Sequence, residues 1–362
     1  DHLTLRKTYI DFFIKRGHTC ALPASLVPEN DPTVLFTTAG MQQFKRFYSN
    51  PELTSNARIV TIQPCIRTSD IEDVGDNSHL TYFEMLGNFS FGYPHKGGSY
   101  FKEEAIKCAW EFLTKALMID ISRIHATYFI GGNGVLEDRE SLILLQNING
   151  LKEIKPHEFD DNFWSLGAEG SPGGPTVEFY VDGLEVWNLV FNEYIIEKGK
   201  YIPSTYKGVD TGMGLERLLT MLQGKKDIYE TDLFNKIINH LNTVVPHNQD
   251  TDKKYIRIIA DHIKTSCYLI AGGIVPSNKD QGYILRRLIR RSLLHSQLHD
   301  KNNDWINSVI DIIVEINHEL ISPVDTIKSI LEGEIKKFQK TLKRGKDTIE
   351  KLETLDAKTI FD

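Results

Sequence analysis

The ten residues GVDTGMGLER, Gly208 to Arg217, constrain this chain more than any other stretch of it. An acid, Asp210, sits between a strand-like run and what reads as a turn. Three glycines (Gly208, Gly212 and Gly214) bring the backbone close to whatever binds there. Glycine admits positive φ and close backbone approach, at a cost in chain entropy that a merely structural turn seldom repeats three times. The run LERLLTMLQ then begins a helix with Arg217 in its first turn. Strand, glycine turn and helix N-terminus together can aim backbone N–H groups at an anion, so the first expectation is a phosphate cradle. A structural αβ turn fits the same ten residues, and the rest of the chain has to decide.

At 362 residues the chain is long enough for two domains and a substantial core. No apolar run approaches the ~20 residues that span a bilayer, and the start, DHLTLRKTYIDFFIKRG, lacks a signal-peptide layout. It reads as an amphipathic helix with Leu5, Tyr9, Phe12 and Phe13 on one side. Cys20, Cys65, Cys108 and Cys267 are far apart and have no CxxC spacing, which predicts reduced thiols in a cytoplasmic protein; no membrane partner is expected either, on the missing apolar run. The net charge of −7 hides an asymmetry. Between Lys253 and Arg291 nine basic residues (Lys253, Lys254, Arg257, Lys264, Lys279, Arg286, Arg287, Arg290, Arg291) face two acids, Asp261 and Asp280. Local charge governs phosphate attraction within a Debye length of ~10 Å.

Up to about Tyr229 the pattern is mixed. Helical segments (5–15, 102–114, 215–223) are interspersed with β-rich runs: VLFTTA, RIVTIQPCI, HLTYFEML, IHATYFI, TVEFYVDG and LEVWNLVFNEYII. The strands cluster instead of alternating strictly with helices, which predicts an antiparallel sheet with helices packed on it. After Thr231 helical periodicity dominates. The expectation is an α+β domain over 1–230 followed by an all-helical domain over 231–362.

Four segments carry chemistry. In PCIRTSDIEDVGDNSHLTYFEMLGNFSF, Arg67 ends a β-rich run and the chain returns through His79 to Met85. Such a hairpin can direct Arg67 and Phe83 into one cleft, the arginine fork suiting a phosphate and the ring a purine face. A surface hairpin with an ion pair and a core Phe fits as well. In DNFWSLGAEGSPGGPTVEF, Trp164 precedes a glycine- and proline-rich stretch that reads as an irregular pocket wall. LEVWNLVFNEY reads as a strand with Glu185, Trp187, Leu189 and Phe191 on one face and Val186, Asn188 and Val190 on the other. Asn188 is then a short polar group on an apolar floor, either a satisfied core amide or part of a small pocket. GVDTGMGLER is the fourth.

Taken in order, HLTYFEMLGNFSF, DNFWSLG, VWNLVF and GVDTGMGLER resemble the catalytic domain of the alanyl-tRNA synthetases, a class II aminoacyl-tRNA synthetase family. SLVPENDPTVLFTTAGMQQFK, with Pro32, is similar to the family's first motif, and residues 257–291 to the start of its helical tRNA-binding domain. The resemblance implies a six-stranded antiparallel sheet flanked by helices. It also implies a two-step reaction. Alanine and Mg·ATP give alanyl-adenylate and pyrophosphate, and alanine then passes to the 3′-hydroxyl of the terminal adenosine of tRNA-Ala. By position, Arg67 would hold the α-phosphate, Phe83 and Arg217 would sandwich the adenine, and Met85 would belong to the ATP site. Asp210 would bind the substrate ammonium, with Trp164, Asn188, Val190 and Gly212 shaping the alanine pocket, and Glu185 would ligate Mg²⁺. Asn278 would read the tRNA acceptor stem, with Arg286, Arg287, Arg290 and Arg291 on its phosphates. The phosphates therefore fall to Arg67, and the turn at Asp210 becomes an amino-acid site.

Several departures from the family pattern bear on these expectations. The loop after Arg67 is short and acidic (Asp70, Glu72, Asp73), and FGYPHKGGSYF, with His95 and Lys96, is longer than in relatives. His295 and His299 form an HxxxH without a paired cysteine element, so no zinc and no editing are expected in this chain. The chain stops at LDAKTIFD, inside a string that relatives continue, which reads as a boundary and leaves Asn278 without its acidic partner. A monomer is favoured. Two other readings stay open. A paralogue that loads a non-tRNA acceptor is opposed by the basic helical half. A non-catalytic RNA-binding relic is opposed by Arg67, Phe83, Asp210 and Arg217 occurring together.

Overall fold

The chain begins with a helix because its stripe of Leu5, Tyr9 and Phe13 has a core to enter, and in the computed structural model all three are buried. The structure describes residues 1–28, 34–165, 167–246, 251–296 and 304–350. Pro32, His299 and the terminal LDAKTIFD lie outside the described residues. The strands are β1 (Thr19–Cys20), β2 (Arg58–Ile66), β3 (Tyr82–Tyr93), β4 (Ile124–Phe129), β5 (Ile154–His157), β6 (Phe163–Ser165), β7 (Pro172–Val181), β8 (Leu184–Glu197) and β9 (Lys200–Gly214). The helices of the first part are α1 (His2–Ile14), α2 (Lys45–Ser49), α3 (Lys102–Glu111), α4 (Arg139–Gln146), α5 (Phe159–Asn162) and α6 (Leu215–Leu222). Those after it are α7 (Asn235–Val244), α8 (Thr251–Ala271), α9 (Asp280–Ser296), α10 (Asp304–Ile316) and α11 (Val324–Ile349).

The fold is α+β, with a helical region following the sheet. Among the described residues one sheet of nine strands runs in the order β1-β2-β3-β9-β8-β7-β4-β5, with β6 paired to β7. The path from β3 through β9, β8 and β7 to β4 is antiparallel. Two parallel pairs, β1 with β2 and β4 with β5, extend it beyond the six antiparallel strands expected. One face of β8 is a dry floor: Trp187, Leu189 and Phe191 are buried, and Trp187 packs against Tyr9, Phe13 and Phe112 with ring centroids 6.1, 6.3 and 5.6 Å away. Each fully buried Phe stabilises by roughly 1.5–3 kcal/mol, so this layer fixes β8 firmly. A buried ammonium pins its far end. Lys102 Nζ lies 2.8 Å from both Asp138 and Glu193, and Glu193 also accepts from Lys207 at 2.9 Å.

Three local expectations change. Val34–Ala39 forms no strand. Thr37 O accepts from Ile66 N–H and Thr38 N–H donates to the Gln42 side chain, so the segment serves as a lead into a short helical turn at Gly40–Phe44. The proline–glycine stretch is not an irregular wall from Pro172 onward, because PGGP opens β7 and Trp164 of β6 pairs with Gly174. A Cβ at Gly174 would lie 1.7 Å from Phe191 O, which is why glycine stands there. Finally, GVDTGMG is not a turn. Gly208 to Gly214 are the end of β9, none of the three glycines has a positive φ, and the strand runs straight into α6.

The chain groups into two compact units. One comprises residues 1–25, 37–66 and 83–228 and holds the sheet. The other comprises residues 26–36, 67–82 and 229–362 and is mainly helical. Its core is built on α8, where Ile258, Ile259, Ile263 and Leu269 are buried, together with Leu285, Leu288 and Leu293 of α9 and Ile310 and Ile313 of α10. Asp261 of α8, also buried, accepts the Thr81 N–H at 2.9 Å and the Thr81 hydroxyl at 2.7 Å.

Candidate active site

Strand register decides which side chains meet in the sheet unit. Residues directly opposite one another in an antiparallel pair share a face. Asn188 lies opposite Glu178 on one side and Gly212 on the other, and Val190 lies between Thr176 and Asp210. Asn192 lies opposite Gly208, and Gly214 opposite Met85. The face away from Trp187 therefore carries Glu178, Thr176, Asn188, Val190, Asn192, Asp210, Gly212 and Met85, with Phe83 two residues from Met85 along β3. Gly208 and Gly212 are explained by what covers them. A Cβ at Gly208 would lie 2.6 Å from the Tyr48 ring, and one at Gly212 would lie 3.0 Å from the Met85 sulfur. Trp164 packs at the edge of the cluster of Met41, Phe44, Tyr48, Phe89 and Phe91.

Asp210 is the electrostatic centre of this face. It is 6% exposed, and its carboxyl has no hydrogen bond or ion pair among the described residues. Burial alone pushes its pKa up to about 7. Polar atoms around it are also unsatisfied: Asn188 Oδ1, Thr176 Oγ1 and both ends of the Asn192 amide are buried without partners among the described residues. Native interiors leave few such atoms, so a row of them beside an unpaired carboxyl marks a place for a polar ligand.

At the α6 end of the face the Arg217 side chain lies over Gly214 and its guanidinium is 3.4 Å from Glu185. Alternation along β8 predicts Glu185 on the Trp187 side. The register shifts between Phe179 and Tyr180, which sets Glu185 opposite Tyr180. The bulge thus carries Glu185 round to the face of Glu178, and its negative charge contributes to raising the Glu178 pKa, second to burial among the raising effects. Glu178 escapes sequence reading because TVEFYV looks like any half-buried strand. Its polar face of Thr176, Glu178 and Tyr180, in a strand whose apolar residues Val177, Phe179 and Val181 are fully buried, is the signal that could have found it.

The structure gathers Phe83, Met85, Trp164, Glu185, Asn188, Val190, Asp210, Gly212 and Arg217 in the sheet unit. Arg67 belongs to the helical unit, where its backbone N–H donates to Thr81 O at 3.0 Å. The α9 arginines are there too, and each has a partner. Arg286 and Arg290 pair with the buried Glu334, at 3.2 and 2.7 Å. Arg287 pairs with Glu72, and Arg291 binds Ile71 O and lies 3.6 Å from Glu72. The Asn278 side-chain oxygen Oδ1 accepts from Arg286. A groove of about 380 Å³ lies beside Asn278, lined by Val27, Gly272, Gly273, Ser277 and Lys279 among others. Lys96 donates to Pro51 O at 2.7 Å and Thr54 O, His95 stacks edge-on to Tyr206, and His295 stacks on Tyr255. Among the described residues no three His, Cys, Asp or Glu side chains cluster to hold a metal ion, and no helix is long and apolar enough to cross a membrane.

Residues 4–361 match the family of tRNA synthetases class II (A). The chain belongs to that family. Among curated relatives, the alanine--tRNA ligase of Borreliella afzelii is 40% identical over 388 aligned residues, covering 98% of this chain and 64% of its own length. Those of Treponema denticola and Rubrobacter xylanophilus are 41% and 40% identical over 79% of this chain, and 51% and 35% of their own lengths. This class II chain thus spans no more than about two thirds of the relatives it matches. A solved pyrrolysyl-tRNA synthetase from Desulfitobacterium hafniense overlaps 63% of this chain and 71% of its own at a TM-score of 0.37 and 14% identity, too distant to carry weight.

Proposed function

We propose that this chain activates L-alanine with Mg·ATP, forming alanyl-adenylate and pyrophosphate, and transfers alanine to the 3′-hydroxyl of the terminal adenosine of tRNA-Ala. The observation that carries the reading is Asp210, a buried carboxyl without a partner among the described residues, on a floor of Val190 and Gly212. An ammonium group is the ligand such a carboxyl lacks, and a floor of one valine and one glycine leaves room for a methyl group. Ammonium binding would return Asp210 to the charged form that burial disfavours. Trp164 and Asn188 complete the alanine pocket in this reading. Phe83 and Met85 lie along the strand toward Arg217, which supports adenine between the Phe83 ring and the Arg217 guanidinium.

Arg67 is assigned to the α-phosphate, where its fork counters the charge that grows as the alanine carboxylate attacks. No enzyme nucleophile is required; positioning and charge stabilisation suffice. Glu185 is the carboxylate assigned to Mg²⁺, which is ordinarily held by one or two carboxylates together with substrate phosphates. The bound ion would supply charge neutralisation on the phosphates, and Glu185 would have to exchange Arg217 for it. Residues 1–230 are read as the catalytic domain and 231–362 as a cytoplasmic enzyme's tRNA-recognition domain, with Asn278 toward the acceptor stem. Alanine-dependent exchange of pyrophosphate into ATP, followed by charging of tRNA-Ala, tests the proposal. Absence of exchange in folded protein removes it. Exchange without charging removes the second step alone.

A further inference from the structure

A side-chain amide can present either its oxygen or its NH₂ to a ligand, and the two are opposite in charge preference. For Asn188 the choice is made by a neighbour. Its Nδ2 donates to Glu178 Oε1 at 3.0 Å, across the β7–β8 pair in which the two residues are directly opposite. Glu178 is 6% exposed and held in turn at its other oxygen, where the Tyr180 hydroxyl lies at 2.7 Å and the Thr127 hydroxyl at 3.4 Å. Asn162 Nδ2 donates to Thr127 Oγ1 at 2.8 Å and so fixes the next member. Hydroxyls both donate and accept, so a proton on Oε2 is tolerated and Oε1 stays an acceptor for Asn188 in either state of the carboxyl.

With Nδ2 engaged, Asn188 Oδ1 is left buried with no partner among the described residues. The Asp210 carboxyl is the diagonal neighbour on the same face, since Val190 stands between Asn188 and Asn192 and pairs with Asp210. Diagonal Cβ atoms are ~7 Å apart, a span that two acceptors bracketing a single ammonium group can close. We propose that Glu178 is a positioning residue that locks the Asn188 amide with its carbonyl oxygen toward the alanine ammonium group, beside Asp210. The inference rests on the alanine-activating reading and adds to it a second acceptor and the residue that orients it. A substrate ammonium has donors for both acceptors, whereas a flipped Asn188 would set NH₂ against a cation.

Alanine-dependent pyrophosphate exchange by full-chain variants tests it. Glu178→Gln keeps an oxygen for Asn188 Nδ2, and its KM for alanine stays within ~3-fold of wild type. Glu178→Met keeps the volume and loses the acceptor, and raises the KM for alanine by ~10–100-fold with the KM for ATP unchanged. In an Asn188→Ala background the same Glu178→Met change has no further effect on the KM for alanine. Additive effects of the two substitutions, or damage by Glu178→Gln equal to that of Glu178→Met, would overturn the role of Glu178 while leaving alanine activation standing. Wild-type protein without exchange would remove both. Should Glu178→Met not hold its fold, the Asn188 side-chain amide of wild-type protein gives the answer by NMR. Its protons, assigned by comparison with Asn188→Ala, are protected without alanine and barely shift when alanine is added. Unprotected protons, or a large shift on adding alanine, count against the lock.

Discussion

Asp210 sits where a carboxyl group is worst placed for stability and best placed for an ammonium ligand. Its pKa is raised from the ordinary value near 3.9 to about 7 by burial alone, so between those values the folded chain holds a proton that the unfolded chain has lost. Stability from this group therefore falls as pH rises from about 4 to 7 and is lowest above that. Asp210→Asn should raise the Tm at pH 8, narrow the difference between pH 5 and pH 8, and abolish alanine-dependent exchange, all read from thermal melts and the exchange assay. A Tm unchanged at pH 8 would mean that the carboxyl has found a partner in solution. In the wild type an ammonium ligand needs the ionised form, so alanine affinity should weaken by up to ~tenfold per pH unit below 7. The residue types were legible in the sequence, since Asp210, Asn188 and Gly212 are short groups in otherwise apolar strands. That the Asp210 carboxyl and Asn188 Oδ1 find no partner among the described residues was not, because it depends on every side chain that packs around them.

The strand ending in Gly214 and the helix α9 show what patterns within a single element reveal. Alternation along β8 identifies the Trp187 face correctly, but the bulge that turns Glu185 round is a property of β7 and β8 together. The three glycines of β9 look like a turn in sequence and lie in a strand in fact, Gly208 and Gly212 closely covered. Their neighbours differ, and so should their substitutions. An Ala Cβ at Gly208 would meet the Tyr48 ring at 2.6 Å and Ser90 O at 2.7 Å, so Gly208→Ala should destabilise by about 1–3 kcal/mol or more. At Gly212 the neighbour is the flexible end of Met85, so Gly212→Ala should keep its Tm and raise the KM for alanine. Equal melting curves for the two variants would contradict this account. On α9 the basic face was legible, but its partners were not, because Glu72 and Glu334 reach it from distant parts of the chain. Arg290 bonds the buried Glu334 through Nε at 2.8 Å, and its guanidinium lies 4.9 Å from the centre of the Phe338 ring. Arg290→Ala should cost about 1.5–3 kcal/mol in urea unfolding. An arginine present for RNA phosphates alone would leave the midpoint unchanged.

At the scale of the molecule, the arginine assigned to phosphate is carried by the helical unit and not by the sheet. Residues 67–82 leave the end of β2, group with α8 and α9, and return at Phe83. A chain reading places Arg67 in a hairpin of the sheet, since nothing in TSDIEDVGDNSHL announces a helical partner. The tie is Thr81. Its carbonyl accepts the Arg67 N–H, while its own N–H and hydroxyl both donate to Asp261, which also takes a bond from His262 Nδ1 at 2.8 Å. Removing that carboxylate orphans two buried donors and frees the backbone beside Arg67. Under the proposed function the damage should fall on phosphate chemistry, not on amino-acid binding. Asp261→Ala should lower kcat for exchange by tenfold or more in protein that remains folded by circular dichroism, with the KM for alanine unchanged. Asp261→Asn, which keeps an acceptor for the Thr81 N–H, should recover much of the rate. The effect should vanish in an Arg67→Ala background, because the same step would already be lost. A rise in the KM for alanine equal to the fall in kcat would instead locate the effect of Asp261 in general loosening of the fold.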